Sequence, residues 1–338
     1  MHVVFRRVAV LCLFVGAACA APFAVAQNTV SGAGSTFVEP VLTKWAAQWS
    51  QQNKAAIVYE GVGSGAGIDR LKAGRVDFAA TDAPLKDDEL KAGGWRQFPV
   101  VAGGIVPVTN LRGVGRKRLR LTGPLLAQIF QGRITRWNDP ALQAVNTTFT
   151  LPDEPINVVR RGDSSGITYN FTAYLSKVSP EWAATLGTGK TVKWPVGVAA
   201  DGNAGLGQRV IATPFAIGYV EYGYALQHEM QIVNLYATTE RAISPTQTTI
   251  RNALESADWR SAAEFNLLLV GIQGTDTWPI AASTWIVLPR DAQKSHSVRA
   301  ALAFFDWALQ RGGETADALG YTPLPPGLVG LIRESWKR

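Results

Sequence analysis

Short apolar runs alternate with helical patterns in the first third of the chain. Residues 56–59 (AIVY) and 76–80 (VDFAA) are rich in β-branched and aromatic side chains and predict two strands. Between them, a glycine loop at 61–67 leads into residues 68–72, which predict a helix. Strands that alternate with helices are typical of a parallel sheet with crossover helices. Ligands of such sheets bind outside the carboxyl ends of the strands, so candidate site residues are sought there.

Two long extended apolar runs indicate how the chain is divided. They lie far apart, at residues 98–108 and 278–287, and we interpret them as two crossings between two lobes. Both chain ends then belong to the same lobe. We therefore expect a discontinuous lobe I, made of residues 27–104 and 280–338, and a lobe II made of residues 105–279.

The first 26 residues have the pattern of a secretory signal peptide. Arg6 and Arg7 precede an uncharged apolar stretch at 8–18, which is too short to span a membrane. Small residues in an A-x-A arrangement follow at 18–20 and again at 24–26, and both resemble cleavage sites. The second is preferred, because the sequence of a folded protein starts just after it. We therefore expect residues 1–26 to be removed and the protein to be periplasmic.

The two cysteines of the chain, Cys12 and Cys19, both lie in this leader. The exported protein would therefore have no disulfide, no thiol nucleophile and no thiolate metal site. Residues 16–19 also resemble a lipoprotein acylation site, although the Leu that usually precedes the small residues is absent. A lipid anchor at Cys19 is therefore the alternative to a soluble periplasmic protein.

Composition, charge and missing motifs narrow the classes of function. The chain has 338 residues, of which 47% are hydrophobic and 17% charged, as is typical of a folded globular protein. Its formal net charge of +7 favours anions but is too diffuse for a nucleic-acid partner. Of the three histidines, His2 lies in the leader, and no H-E-x-x-H, P-loop or G-x-S-x-G motif occurs. We expect neither an enzyme nor a bound metal or cofactor.

Three segments share a pattern that favours anion binding: an extended piece, a loop of Gly, Ser or Thr, and the start of a helix. They lie at residues 31–37 (SGAGSTF), 61–67 (GVGSGAG) and 161–167 (RGDSSGI). A helix N-terminus has unpaired N–H groups and partial positive charge, and glycine lets the backbone approach a ligand closely. Each loop alone is better explained by simple helix capping, for example by a capping box of Thr36 and Glu39. The three together, with an adjacent Arg and a strand-end Asp, predict an anion site.

One of these loops also fits a different kind of site. Residues 61–66 match G-x-G-x-x-A, and Asp82 follows about twenty residues later, which is nominally a dinucleotide-binding pattern. The leader argues against this interpretation, because nicotinamide cofactors are not normally available outside the cytoplasm. No companion catalytic residue is apparent either.

Eight segments, in order along the chain, carry a resemblance to a known family. They are residues 32–37, 61–65, 76–84, 158–166, 187–190, 192–197, 216–222 and 304–308. All of them look like the periplasmic phosphate-binding protein of the phosphate-specific ABC importer, the PstS family. The similarity covers essentially the whole chain after the leader. It implies an α/β, two-lobed periplasmic binding protein fold of type II, with the ligand in the cleft between the lobes.

The resemblance also implies a set of site residues. Carried over position by position, the phosphate-binding residues would be Thr36, Phe37, Ser64, Asp82, Arg161, Ser165, Gly166 and Ile167. Asp82 would accept a proton from the phosphate, and Arg161 would bind it as a charged fork, held in place by Asp163. The family usually has Thr where this chain has Ile167, so the backbone donor is retained while a hydroxyl is lost.

The function implied by the resemblance is high-affinity capture of inorganic phosphate in the periplasm. The partners would be phosphate itself and the membrane permease subunits of a phosphate ABC importer, with the protein acting as a monomer. The alternative is a secreted phosphate-ester hydrolase. It would need a nucleophile such as Ser165 beside a base, and no His lies near Ser165 in the sequence.

Overall fold

The computed structural model describes residues 29–53, 55–114, 119–236, 241–274, 276–291 and 295–337. The predicted signal peptide and Cys19 lie outside the described residues. None of the described helices combines the length and the hydrophobicity that crossing a bilayer requires.

The strands of the described residues form one large and one small sheet. They are β1 (Thr29–Gly34), β2 (Ala56–Gly61), β3 (Phe78–Thr81), β4 (Trp95–Thr109), β5 (Arg120–Thr122), β6 (Asn157–Arg161), β7 (Val198–Ala200), β8 (Ala216–Glu221), β9 (Gln231–Ile232), β10 (Asn234–Tyr236), β11 (Ala242–Ile243) and β12 (Ala281–Pro289). The large sheet has the order β2-β1-β3-β12-β4-β8-β6-β7, with β9 beside β4, and the small sheet has the order β11-β10-β5. β1 is parallel to both β2 and β3 and lies between them, so the two strands predicted at 56–59 and 76–80 belong to one parallel part of the sheet.

Helices connect the strands and cover the large sheet. They are α1 (Glu39–Ser50), α2 (Ser64–Lys72), α3 (Asp87–Gly93), α4 (Gly123–Phe130), α5 (Pro140–Ala144), α6 (Gly166–Val178), α7 (Pro180–Thr185), α8 (Gly202–Ala212), α9 (Tyr222–Gln227), α10 (Gln247–Glu255), α11 (His296–Arg311), α12 (Gly313–Ala318) and α13 (Pro326–Ser335), with a short 3-10 helix at Ala263–Phe265. The apolar stripe of α1 shows why it packs inward, since Val41, Leu42, Trp45 and Trp49 are all buried.

A single long strand, β4, runs through both lobes. Every one of its 15 residues is buried. The part from Trp95 to Gly104 pairs with β12, and the part from Ile105 to Thr109 pairs with β8. Because β12 also pairs with β3, the change of partner along β4 joins the lobe I strands to the lobe II strands. The apolar run at 98–108 thus lies in the strand that changes partner, where the sequence predicts one crossing between the lobes.

Most of the second apolar run lies beside lobe I strands, but its first residues contact predicted lobe II, since Trp278 N donates to Thr249 O and Ile105 N donates to Ile280 O, both at 2.8 Å. β12 pairs with β3 and β4, and the chain reaches it through a bridge between Val270 and Ile280. The segment before it also packs on lobe I, although the division drawn from the sequence places that segment in lobe II. Trp285 Nε1 donates to Phe265 O at 2.9 Å, and Gln97 Nε2 donates to Glu264 O at 3.1 Å.

Candidate functional site

The three glycine loops predicted from the sequence converge at the carboxyl ends of β1, β2 and β6, of which β1 and β2 are neighbours in the sheet. The loop after β1 contacts the loop after β3, because Ser35 Oγ donates to Asp82 Oδ2 at 2.5 Å. The loop after β2 meets the loop after β6, because Gly65 N donates to Ser164 O at 3.0 Å. Loops of both lobes therefore enclose one small polar region, as expected for the cleft of a sheet of this type.

Asp82 lies at the centre of this region and is only 1% exposed. Its Oδ2 accepts from Ser35 Oγ and its Oδ1 accepts from Thr284 Oγ1 at 2.6 Å, so each carboxylate oxygen has one hydroxyl donor. Burial raises the pKa of Asp82 to about 6, while these two hydroxyls, the charge of Arg161 and the Ser64 hydroxyl lower it. Asp82 is therefore an ionised acceptor at neutral pH and becomes a donor in mild acid.

Arg161 brings a buried positive charge to the end of β6, where it is 3% exposed. Its Nε donates to Asp163 Oδ1 at 2.6 Å and its Nη2 donates to Asp163 Oδ2. Burial alone would raise the pKa of Asp163, but the hydrogen bonds and charge of Arg161 outweigh it and lower this pKa. Within the described part of the chain, Nη1 of Arg161 has no hydrogen-bond partner. The fork is thus held by Asp163 with one nitrogen left for an anion.

Ser64 joins the lobes through its hydroxyl. Its oxygen accepts from Asp82 N at 3.3 Å and from Gly166 N, across the cleft, at 3.1 Å. The hydroxyl also interacts with the side chain of Asp82 and lowers its pKa, so a ligand would share the hydroxyl proton with that carboxylate. Ser165 caps α6 by accepting from Thr168 N at 3.2 Å, which leaves its hydroxyl proton available for a ligand.

Backbone N–H groups near the site fall into two sets. Those of Thr36, Ser64 and Ile167 have no acceptor among the described residues. Those of Phe37 and Gly166 donate within the protein, to Ser35 Oγ at 3.0 Å and to Ser64 Oγ at 3.1 Å. The structure brings all five predicted donors together but pairs two of them with hydroxyl oxygens.

The predicted capping box of Thr36 and Glu39 is wrong. α1 begins at Glu39 with Val38 as its N-cap and with a proline in its first turn, so Thr36 lies too far from the helix to cap it. Glu39 Oε1 instead accepts from Gly61 N at 2.9 Å, and Thr36 Oγ1 accepts from Asn203 N at 3.3 Å. The Thr36 hydroxyl therefore contacts α8 of lobe II.

Ile167 is 1% exposed and belongs to the large hydrophobic cluster. The hydroxyl of the next residue, Thr168, lies 2.8 Å from the hydroxyl of Tyr219 and so points away from the predicted ligand. It does not replace the hydroxyl that Ile167 lacks.

The sequence analysis missed three polar residues of this region. Ser35 lies in a loop that was recognised, but only its neighbours were selected. Thr284 lies within an apolar strand, where a polar residue is itself a signal of a buried hydrogen bond. Asn170, fully buried on α6, donates through Nδ2 to Asp82 O at 2.5 Å and to Gly166 O at 2.9 Å. It ties lobe II to lobe I, and its position in a helical pattern offered no signal.

The glycines of the dinucleotide-like pattern have a different use in this structure. A Cβ on Gly65 would lie 2.1 Å from Ser164 Oγ, so glycine permits close contact between the lobes there. Gly63 has φ of 90°, which also favours glycine. Among the described residues, no group of three His, Cys, Asp or Glu side chains is placed to hold a metal ion.

A groove of about 650 Å³ opens beside the site and is lined by Thr36 and Asp163 together with α8 and α9. Glu221 also lines this groove although it is 1% exposed. Burial raises the pKa of Glu221 to about 8, against the lowering effect of hydrogen bonds from Gly223 N and Tyr224 N. The groove reaches the predicted anion site at its Thr36 end.

The fold and this cleft define a class of protein, the two-lobed periplasmic binding proteins. A family profile described as a PBP superfamily domain matches residues 21–311. A solved structure of a high-affinity periplasmic phosphate-binding protein, PfluDING, bound with phosphate, has a TM-score of 0.72 at 21% identity, covering 91% of this chain and 93% of that chain. The predicted type II fold is therefore confirmed.

Two relatives identify the family within this class. The phosphate-binding protein PstS of Xylella fastidiosa (strain Temecula1) is 42% identical over 307 residues, which are 91% of this chain and 84% of the relative. The phosphate-binding protein PstS of Haemophilus influenzae is 40% identical over 316 residues, which are 94% of each chain. The chain belongs to the PstS family of phosphate-binding proteins, as its motifs predict.

Proposed function

We propose that the protein captures inorganic phosphate in the periplasm and delivers it to the membrane permease subunits of an ABC importer. The observation that carries this proposal is a buried cation, Arg161, close enough to a buried acceptor, Asp82, to lower its pKa. The cation attracts an anion, and the carboxylate requires that anion to carry a proton. Hydrogen phosphate meets both conditions at neutral pH and sulfate does not. The 40–42% identity to proteins named as phosphate-binding supports the same ligand.

The proposed site takes its donors from both lobes. Lobe I contributes the N–H groups of Thr36 and Ser64 and the Ser64 hydroxyl. Lobe II contributes Arg161 Nη1, the Ser165 hydroxyl and the N–H of Ile167. Hydrogen bonds to charged groups contribute roughly 1.5–3 kcal/mol each. Micromolar affinity needs about 8 kcal/mol, which such a set supplies even after association costs of several kcal/mol.

Two further donors would change partner when phosphate binds. The N–H groups of Phe37 and Gly166 now donate to the hydroxyl oxygens of Ser35 and Ser64. We expect phosphate oxygens to replace these hydroxyl oxygens, because an anionic acceptor makes the stronger hydrogen bond. Donors from both lobes then favour the closed arrangement over an open one.

The remaining properties follow from the same proposal. Residues 1–26 would direct export and be removed, with a lipid anchor at Cys19 as the alternative. Residues 27–104 and 280–338 would move as lobe I and residues 105–279 as lobe II, apart from the segment before β12 that packs on lobe I. The protein would act as a monomer, without a cofactor and without enzymatic activity.

Calorimetric titration of the purified protein with phosphate, with sulfate and with a phosphomonoester tests the proposal. We expect one phosphate per chain with micromolar or tighter affinity, and sulfate at least about 100-fold weaker, since an unpaired pair of buried acceptors costs several kcal/mol. Absence of phosphate binding would overturn the proposal. Release of phosphate from the monoester in the presence of divalent metal would favour the hydrolase alternative instead.

A further inference from the structure

Two hydroxyls that are not expected to touch the ligand hold the carboxylate of Asp82. Ser35 Oγ donates to Oδ2 at 2.5 Å and Thr284 Oγ1 donates to Oδ1 at 2.6 Å. Ser35 is 1% exposed and Thr284 is fully buried, so water does not compete for either bond. The two hydroxyls come from chain segments 47 residues before and 202 residues after Asp82.

The direction of the Ser35 bond is set by its neighbours. Ser35 Oγ accepts from Phe37 N at 3.0 Å, so its own proton is directed at Asp82. The backbone of the same loop is held by two tyrosines, the partly buried Tyr59 and the buried Tyr321. Tyr59 OH donates to Ser35 O at 2.8 Å and Tyr321 OH donates to Phe37 O at 2.6 Å. In the phosphate-free protein the hydroxyl is therefore a fixed donor, and the two tyrosine bonds keep its loop in place when phosphate takes the Phe37 N–H. A donor held there favours a carboxylate that accepts.

We propose that Ser35 and Thr284 are specificity-determining positioning residues, which keep Asp82 an acceptor and aim its free lone pairs at the ligand. Each carboxylate oxygen has two lone pairs, so one hydroxyl per oxygen leaves room for a proton brought by the ligand. The oxygens of an anion without a proton would then face the Asp82 carboxylate with no hydrogen bond between them. The inference rests on the proposed function, since it explains how the site would reject sulfate.

Other ionisable groups around Asp82 also affect its pKa, and they are present whether or not the two hydroxyls are removed. Arg161 lowers its pKa, and Glu221, Tyr59 and Tyr321 are close enough for their charges to couple to it. Burial raises the pKa of both tyrosines, so they stay neutral below pH 9 or so. Burial raises the pKa of Glu221 to about 8, so its side chain is mostly protonated at pH 7, where the variants are compared. A difference between variants therefore isolates the hydroxyls.

The chain offers well-matched variants for a test. Thr284→Val removes the hydroxyl with little change of shape, and Thr284→Ser keeps it. Ser35→Ala removes the other donor. Ser283→Ala is the control, because the Ser283 hydroxyl is buried on the same strand and has no hydrogen-bond partner in the described structure. Thermal unfolding of each variant shows which of them are folded.

The experiment measures phosphate and sulfate affinities by calorimetry from pH 5 to pH 8.5 and follows their ratio. Loss of a donor raises the pKa of Asp82, so the pH below which sulfate is accepted should rise. At pH 7 we expect the phosphate-to-sulfate ratio to fall about 3- to 10-fold in Thr284→Val and in Ser35→Ala, the loss of one hydrogen bond. Thr284→Ser and Ser283→Ala should match the parent.

Different results would contradict the proposed function and the role of the two hydroxyls. A parent protein that does not bind phosphate contradicts the proposed function. A parent that binds phosphate selectively, with the same pH profile in folded Thr284→Val, contradicts the role of the hydroxyls. A profile that shifts equally in Thr284→Ser and in Thr284→Val assigns the effect to packing and also overturns the proposal. If Ser35→Ala does not fold, the Thr284 pair decides the question alone.

Discussion

The amide nitrogen of Gly166 donates to the hydroxyl oxygen of Ser64 at 3.1 Å and so joins α6 of lobe II to α2 of lobe I. A Cβ at position 166 would lie 2.5 Å from Ser64 Oγ and 2.8 Å from the backbone nitrogen of Asp82. The backbone of Asp82 is fixed at the end of β3, so it yields less than a side chain would. Only glycine at position 166 permits this approach of the two lobes.

The first prediction follows from that contact. Gly166→Ala should hold the lobes apart and weaken phosphate binding by about 1–3 kcal/mol, the usual cost of overpacking, or roughly 5- to 150-fold. Calorimetry measures the affinity, and small-angle scattering with saturating phosphate should show a larger radius than in the parent. Gly205→Ala is the control, since a Cβ on Gly205 of α8 meets no atom within 4 Å. Equal affinity in Gly166→Ala would contradict the closed geometry.

The second prediction concerns the charge of the site. Arg161→Ala should weaken phosphate binding by about 2–5 kcal/mol, because the buried dianion and Asp163 would both lose their cation. Arg160→Ala is the matched control. Arg160 precedes Arg161 on β6 and is half-buried, and its Nη1 donates to Arg161 O at 3.4 Å. Its loss should change the affinity much less. Equal losses in both variants would mean that the net charge of lobe II, and not a specific contact, attracts the anion.

The third prediction concerns selectivity. Asp82→Asn gives the site a donor in place of an acceptor, so sulfate should gain affinity relative to phosphate. The Ser35 hydroxyl is a fixed donor, and the amide nitrogen is therefore expected on the side of Thr284. Competition of sulfate against labelled phosphate at pH 7.5 measures the ratio. A variant that rejects sulfate as strongly as the parent would show that selectivity arises elsewhere.

Much of this arrangement could be read from the sequence, and the exceptions have a common cause. The alternating pattern predicted β2 and β3 as strands of a parallel sheet, and the apolar run at 98–108 predicted most of β4, because both depend on local side-chain patterns. The place of β1 between β2 and β3 was not predicted. The contacts of Ser35 and Thr284 with Asp82 join segments up to 202 residues apart. No local pattern encodes them.

The wrong capping box has the same origin as those missed contacts. A Thr followed three residues later by Glu is a valid local signal, but tertiary partners took both side chains. Glu39 accepts from Gly61 N and Thr36 accepts from Asn203 N, and both donors lie on other segments of the chain. The segment before β12 was assigned to lobe II from the sequence but contacts lobe I residues, and these tertiary contacts also leave no local pattern. The roles of the site residues toward phosphate stay predictions.

The fourth prediction uses the raised pKa of Asp82. This pKa is raised from 3.8 to about 6, so the native state favours the protonated acid. The stability associated with that proton is fully present below pH 4 and is lost as the pH rises through 6. Asp82→Asn removes the titration and should stabilise the phosphate-free protein by about 3 kcal/mol at pH 7.5 and by little at pH 4. Denaturant unfolding at both values checks this, and a pH-independent difference would contradict it.

The last prediction comes from Ile167, where the family resemblance implies a Thr. Ile167 is 1% exposed and packs in the core, and its N–H has no acceptor among the described residues. Ile167→Thr should increase phosphate affinity by about 0.5–3 kcal/mol, the range from a neutral to a charged hydrogen bond. The same change should lower the free energy of unfolding by about 1–3 kcal/mol, since a hydroxyl replaces buried apolar surface. Ile167→Val separates the two effects, because Val has the shape of Thr without the hydroxyl. Calorimetry and denaturant unfolding of all three proteins measure affinity and stability independently. If Thr and Val variants bind phosphate equally, the missing hydroxyl is already replaced by another donor in the site.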